Sequence, residues 1–66
     1  MKIIVNGEVR SYKGKVTVAA LIRKIGAQRG RVAVVVNGEV VGRDEVASRN
    51  LKDNDRVEIL TYAAGG

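Results

Sequence analysis

The sequence predicts an α+β fold in which one main helix packs on one face of a mixed sheet of about five strands. Strand-like apolar runs flank an Asn-Gly pair in two places, and an amphipathic helical pattern lies between these two hairpins. A further alternating strand follows near the end of the chain. The order is therefore hairpin, helix, hairpin, crossover and strand. Because a single helix covers only one face of such a sheet, we expect the other face to stay open.

The first hairpin is predicted from the N-terminal residues. A β-branched strand at 2–5 is followed by Asn6-Gly7, and a second strand begins at Glu8. Both central residues of a type I′ turn need positive φ, so Asn-Gly between two strand-like runs is the strongest short-range hairpin signal. The sequence Val-Asn-Gly-Glu-Val recurs at 36–40. We interpret the two copies as one turn solution used twice, since nothing else around them matches.

The helix is predicted at about 18–26, between the two hairpins. Thr17 can cap its N-terminus, and Gly26 suits the left-handed residue at which many helices end. Arg23 and Lys24 fall in the last turn, where the helix dipole favours cations. An apolar stripe at i, i+3, i+4 and i+7 spacing supports the assignment, and its members are Val18, Leu21, Ile22 and Ile25.

The second half of the chain predicts three more strands. A strand at 31–36 pairs with 39–41, and an irregular crossover at 42–51 follows. Asp-Asn-Asp at 53–55 predicts a tight turn with the Asn in a left-handed conformation. A calcium loop is disfavoured there, because the Gly and the distal Glu of that pattern are missing. The last strand is predicted at 56–61.

Alternation along the strands assigns the two faces of the sheet. Ile4, Val35, Leu60 and Tyr62 fall on the face without a helix, and an apolar stripe there suggests a partner-docking surface. Scattered apolar residues on such a face are also common, but Leu60 and Tyr62 lie on the strand that leads to Gly65-Gly66. The predicted core takes the other face and comprises Ile3, Val5, Val34, Val36, Val57 and Ile59 with Leu21, Ile22 and Ile25.

Composition narrows the possible functions. The chain has 66 residues, enough for one domain, and contains no cysteine and no histidine. It therefore has no thiol nucleophile, no general base that titrates near neutral pH and no strong metal-ligand set, so we expect a protein that is not itself an enzyme. No apolar run approaches the length of a membrane span, and we expect a cytoplasmic protein that binds no membrane.

The charge balance suggests what kind of partner the surface attracts. The net charge is +5, but the basic residues are dispersed and two tyrosines are the only aromatic residues. Without a stacking platform for bases, we expect no nucleic-acid partner and a surface that steers an acidic protein. A basic RNA-binding module stays open as an alternative.

The last residues suggest a reactive terminus. Gly65 and Gly66 carry no Cβ, so the final peptide unit and its carboxylate could enter a cleft too narrow for other residues, and Ala63 and Ala64 would keep the approach slim. We therefore expect a domain over 1–62 and a flexible tail over 63–66. The alternative is a frayed end without function.

The order of these features over the whole chain resembles the β-grasp, or ubiquitin-like, fold, and within it the sulfur carriers of the ThiS family of thiamine biosynthesis. The molybdopterin carriers of the MoaD type usually have a proline-containing segment before the tail, whereas this chain has no proline. Asn54 departs from the Gly that these families often carry, and Asn is the next best residue for that backbone. The resemblance depends on the hairpin from residue 2, the helix near 18–26, Val-Asn-Gly-Glu-Val with Val41, the stretches 42–45 and 51–59, and Gly65-Gly66.

The resemblance implies a carrier that acts as a co-substrate of other enzymes. An E1-like adenylating enzyme would use ATP and Mg to activate the Gly66 carboxylate, a persulfide protein would donate sulfur, and the resulting thiocarboxylate would serve a thiazole synthase. The chain itself would bind no cofactor and no metal. A MoaD-type carrier and a ubiquitin-like protein modifier remain alternatives, since both use the same chemistry at the tail.

Overall fold

The computed structural model of the chain describes residues 1–61, without the side chain of residue 29. A five-stranded sheet has the order β2-β1-β5-β3-β4, in which β1 is parallel to β5 and the other neighbouring pairs are antiparallel. The predicted mixed sheet with one helix is confirmed. The elements are β1 (Lys2–Val5), β2 (Glu8–Ser11), α1 (Val18–Lys24), a short 3₁₀ helix (Arg29–Arg31), β3 (Val32–Val36), β4 (Glu39–Val41) and β5 (Arg56–Thr61).

Both predicted hairpin turns are confirmed. Asn6 and Asn37 have φ values of 48° and 50°, and the glycines that follow them have φ values of 84° and 86°. Each turn joins a Val directly opposite a Glu, at 5 and 8 in the first hairpin and at 36 and 39 in the second. Positive φ at both central positions is what a two-residue type I′ connection requires, and Asn and Gly tolerate it best.

Helix α1 begins and ends with the predicted caps but is two residues shorter than predicted. The Thr17 hydroxyl accepts a hydrogen bond from the Ala20 N–H at 3.1 Å. At the other end, Gly26 has a φ of 83°, its N–H donates to the Arg23 carbonyl, and the Ala27 N–H donates to the Ile22 carbonyl. This pair of bonds is a Schellman motif, which ends the helix at Lys24 rather than at Gly26.

The core lies between α1 and one face of the sheet, as alternation predicted. Leu21 and Ile22 of the helix are fully buried against it, and Ile25 is partly buried. The crossover that was predicted to be irregular also contributes Val46 and Leu51 to the core. Its backbone forms hydrogen bonds with residues around the start of the helix. For example, the Leu51 N–H donates to the carbonyl of residue 16 at 2.8 Å. The buried sheet residues are Ile3, Val5, Val34, Val36, Val41, Val57 and Ile59.

Two further sequence predictions concern membrane spans and the boundary between domain and tail. Within residues 1–61, no helix is long and apolar enough to cross a membrane. The predicted boundary between a domain over 1–62 and a tail over 63–66 falls outside the described residues and remains a prediction.

Candidate functional site

Strand β5 is the central strand of the sheet and leads toward the C-terminal residues. On one side it pairs with the whole of β3, from Val57 opposite Val36 to Thr61 opposite Val32. On the other side β1 pairs with only its first two residues. The C-terminal half of β5 is therefore held by a strand on one side alone.

The turn before β5 is fixed by the buried carboxylate of Asp55, which is 8% exposed. One carboxylate oxygen accepts a hydrogen bond from the Asn37 side-chain amide at 2.9 Å, and the other accepts from the Lys52 N–H at 2.7 Å. Asn54 has a φ of 70°, which confirms the predicted left-handed residue. The sequence predicted the turn but not the bond to Asn37, which joins residues 18 positions apart.

The first residue of β5 is bonded to Asn37 as well. The Arg56 N–H donates to the Asn37 side-chain oxygen at 2.9 Å, and the Asn37 N–H donates to the Arg56 carbonyl at 2.8 Å. The backbone that leaves β3 turns into the hairpin at Asn37. There the Asn37 side-chain amide continues the hydrogen bonding between the two chain segments that form β3 and β5.

Asn6 does the same on the β1 side, farther along β5. The Asn6 N–H donates to the Val57 carbonyl at 2.9 Å. The Ile59 N–H donates to the Asn6 side-chain oxygen at 2.8 Å, and the Asn6 side-chain NH₂ donates to the Ile59 carbonyl at 3.3 Å. Sequence reasoning assigned both asparagines to turns only. The recurrence of Val-Asn-Gly-Glu-Val was the signal that could have suggested a shared second role.

The predicted docking residues lie on the open face of the sheet where the structure describes them. Leu60 is 53% exposed, and Ile4 and Val35 are partly buried. Their cross-strand neighbours Val9 and Val40, which sequence reasoning missed, are 63% and 75% exposed. The face is therefore apolar at both edges, with a shallow depression on its surface lined by Ile4, Asn6, Gly7, Arg56, Val57, Glu58 and Leu60.

The charged residues of β5 divide this apolar face. Arg56 and Glu58 are exposed and alternate with the buried residues of the strand, on the same face as Leu60. Arg56 lies opposite Ile4 and Glu58 lies opposite Val35. A partner that covers the face would therefore need apolar groups toward both edges and polar groups over its centre.

The remaining predicted site residues lie outside the described residues. These are Tyr62 of the docking stripe and the predicted tail, Ala63, Ala64, Gly65 and Gly66. The structure thus places the strand that precedes them but not the residues themselves. In residues 1–61, no group of three or more His, Cys, Asp or Glu side chains is arranged to hold a metal ion.

Comparison with known proteins identifies the family. Residues 3–66 match the family model described as "ThiS family". The chain belongs to the ThiS family. It is similar to the crystal structure of the thiamine biosynthesis protein ThiS from Geobacter metallireducens, with a TM-score of 0.84, 35% sequence identity and complete coverage of both chains. The β-grasp fold predicted from the sequence is confirmed by this match.

Relatives of two kinds share the ThiS-family sequence. The chain is 38% identical to the sulfur carrier protein ThiS of Thermus thermophilus over 92% of this chain and 94% of that protein. It is also 36% identical, over its full length, to a thiazole synthase of Paramagnetospirillum magneticum, of which it spans 20%. It is 32% identical, again over its full length, to a thiazole synthase of Magnetococcus marinus, of which it also spans 20%. The predicted function is confirmed for the domain: it is a ThiS-family sulfur carrier of thiamine biosynthesis.

Proposed function

We propose that the carbonyl carbon of Gly66 is the reacting centre of this carrier. The ThiS-family match runs through residue 66, which supports this proposal. Strand β5 leads to that end from the centre of the sheet. The sequence holds no cysteine, so the chain cannot store sulfur on a thiol of its own. A main-chain carboxylate that other proteins activate meets the need for a sulfur attachment point.

The chemistry requires activation, since a carboxylate is a poor electrophile. A Gly66 carboxylate oxygen attacks the α-phosphorus of ATP in an E1-like enzyme, and pyrophosphate leaves. The terminal sulfur of a partner's persulfide then attacks the carbonyl carbon and displaces AMP. The S–S bond that came with the persulfide now joins Gly66 to the partner, and a thiol attacks the partner's sulfur in it. A disulfide forms between that thiol and the partner's cysteine, and the thiocarboxylate leaves on Gly66. Mg²⁺ belongs with the ATP in the partner's site, where it neutralises phosphate charge.

The folded domain binds the partner and so brings the C-terminal carboxylate to the partner's active site. Residues 1–62 form the body and residues 63–66 the tail, which ends in Gly65 and Gly66 behind two alanines. Four extended residues span roughly 13 Å, enough to reach an enclosed site while the body stays outside it. ATP-dependent activation of this kind places the reaction in the cytoplasm.

The body docks through the open face of the sheet. Leu60 lies on the strand that leads to the tail, and Ile4 lines the same shallow depression as Leu60. Val35 continues the apolar surface toward the β4 edge, and Tyr62 would extend it along β5. Exposed apolar patches bordered by polar residues mark protein contact sites on soluble domains. A docking site next to β5, the strand that precedes the tail, keeps the distance from the docked body to the partner's active site short.

A thiazole synthase is the proposed acceptor of the sulfur. The support comes from the relatives named thiazole synthase, which contain a segment similar to this whole chain within a protein about five times as long. Joining two modules in one polypeptide raises their effective concentration to the millimolar range. A carrier that is not joined to the enzyme in this way would have to reach it by docking.

Deletion of the gene tests the assignment of pathway. We expect the deletion strain to require thiamine or its thiazole portion for growth, and to keep its molybdenum-enzyme activities. Loss of molybdenum-enzyme activity with thiamine-independent growth would instead support a MoaD-type carrier. Gly-Gly remnants on lysines of other proteins in the wild-type host, absent in the deletion strain, would support a protein modifier. A salt-dependent RNA affinity that survives removal of the last two residues would support the RNA-binding alternative.

A further inference from the structure

The Asn6 side chain takes the place of a peptide group in the sheet. In a parallel ladder, the N–H and the C=O of one residue bond to two residues of the neighbouring strand that are two positions apart. The Asn6 N–H bonds to the Val57 carbonyl in this way. The positive φ of Asn6 then turns its backbone into the hairpin. Its side-chain oxygen accepts from the Ile59 N–H in place of the backbone carbonyl, and its NH₂ donates to the Ile59 carbonyl.

The position of this side-chain hydrogen bonding along β5 gives it a consequence for the end of the strand. On the β1 side, strand pairing ends at Val57, and the Asn6 carboxamide carries the hydrogen bonding two residues farther, to Ile59. On the opposite side, β3 continues to Thr61. Strand β5 is thus held on both sides as far as Ile59, by β3 on one side and by the Asn6 side chain on the other, and Ile59 lies two residues before the last described residue.

We propose that Asn6 is a positioning residue for the reaction at Gly66, because it fixes the last segment of β5 from which the chain continues to the tail. The inference rests on the proposed function. A body that docks correctly still has to aim four residues into a narrow site, and a small error in orientation lowers the rate of reaction without changing the affinity of docking. Asn6 touches no reacting atom, so its effect is transmitted through β5.

Asn37 supplies a matched control within the same fold. It occupies the same position of an identical Val-Asn-Gly-Glu-Val segment, has nearly the same φ and also bonds to the backbone of β5. Its contact is with Arg56, at the opposite end of the strand from the tail. Asn37 additionally holds the buried Asp55 carboxylate, so its loss should damage stability at least as much as the loss of Asn6.

The experiment compares Asn6→Gly with Asn37→Gly, since Gly-Gly also supports the turn. ATP–pyrophosphate exchange by the host's E1-like enzyme is measured against carrier concentration at a temperature where both variants are folded. We expect Asn6→Gly to lower kcat about tenfold with KM little changed, and Asn37→Gly to stay near wild type. Amide hydrogen exchange should show lost protection at Ile59 in the first variant and at Arg56 in the second.

Asn6→Asp tests whether the side-chain bond itself is responsible. Asp keeps an oxygen for the Ile59 N–H but not the amide donor, so its kcat should lie between those of wild type and Asn6→Gly. Equal kcat values for Asn6→Gly and Asn37→Gly, or a lower one for Asn37→Gly, would overturn the positioning role and leave the proposed function intact. A wild-type chain that supports no exchange would overturn the proposed function, and the positioning role with it.

Discussion

Replacing Gly66 by Ala is expected to lower kcat/KM for adenylation about a hundredfold, because misplacement of a reacting group by about 1 Å can cost this much. The added Cβ would stand beside the carboxylate, where the proposed cleft admits only a bare main chain. The body is untouched by the change, so circular dichroism and the thermal midpoint should match those of wild type. ATP–pyrophosphate exchange with the host's activating enzyme measures the effect.

Gly30→Ala is the matched control for this prediction. Gly30 is exposed, its φ is not in the left-handed region, and an added Cβ would meet nothing within 4 Å. The same chemical change there should leave exchange at the wild-type rate. Unaltered exchange in the Gly66 variant would show that the activating site does not require the glycine.

Replacing Leu60 by Asp is expected to weaken binding to the activating enzyme by about 2 kcal/mol, or roughly thirtyfold in Kd, as for an apolar hot-spot residue. Leu60 is 53% exposed, so the free protein loses little packing, while a docked complex would have to bury the new carboxylate. The nearby Glu58 on the same strand adds like-charge repulsion and provides no compensating partner. Titration calorimetry with the purified enzyme gives the affinity directly.

Ala47→Asp introduces the same charge at another exposed apolar residue, in the crossover that lies beside the helix. It should bind as wild type does, which separates a local effect at Leu60 from a general loss of positive charge. If Leu60→Asp and wild type bind equally well, the docking surface is not the open face of the sheet.

The parts of the fold that depend on local conformation could be predicted from the sequence. Asn6-Gly7 and Asn37-Gly38 predict two turns because few other residues adopt positive φ, and the structure has both. Thr17 and Gly26 mark the ends of the helix for the same kind of local reason, although the Schellman bonds end it earlier than the apolar stripe suggests. Alternation assigned the buried face because one residue of shift would expose the whole core.

The parts that depend on distant pairing could not be predicted in this way. Val46 and Leu51 carry no periodic pattern, and their burial follows from backbone bonds between the crossover and the residues around the start of α1. The bond between Asn6 and Ile59 joins residues 53 positions apart, so no local signal in either segment contains it. In the candidate site, Ile4, Val35 and Leu60 were assigned to their face correctly, whereas Val9 and Val40 were missed because they lie on short edge strands.

The mass of the intact protein isolated from its native host shows whether Gly66 carries the sulfur. We expect a population that is heavier by the replacement of one oxygen by sulfur, with fragmentation placing the sulfur on the residue at position 66. Supplying an excess of the host's sulfur source should enlarge this population, and removing the activating enzyme should abolish it. A chain found with its sulfur elsewhere, or with further residues joined permanently to Gly66, would contradict the claim that its last carboxylate is the group that reacts.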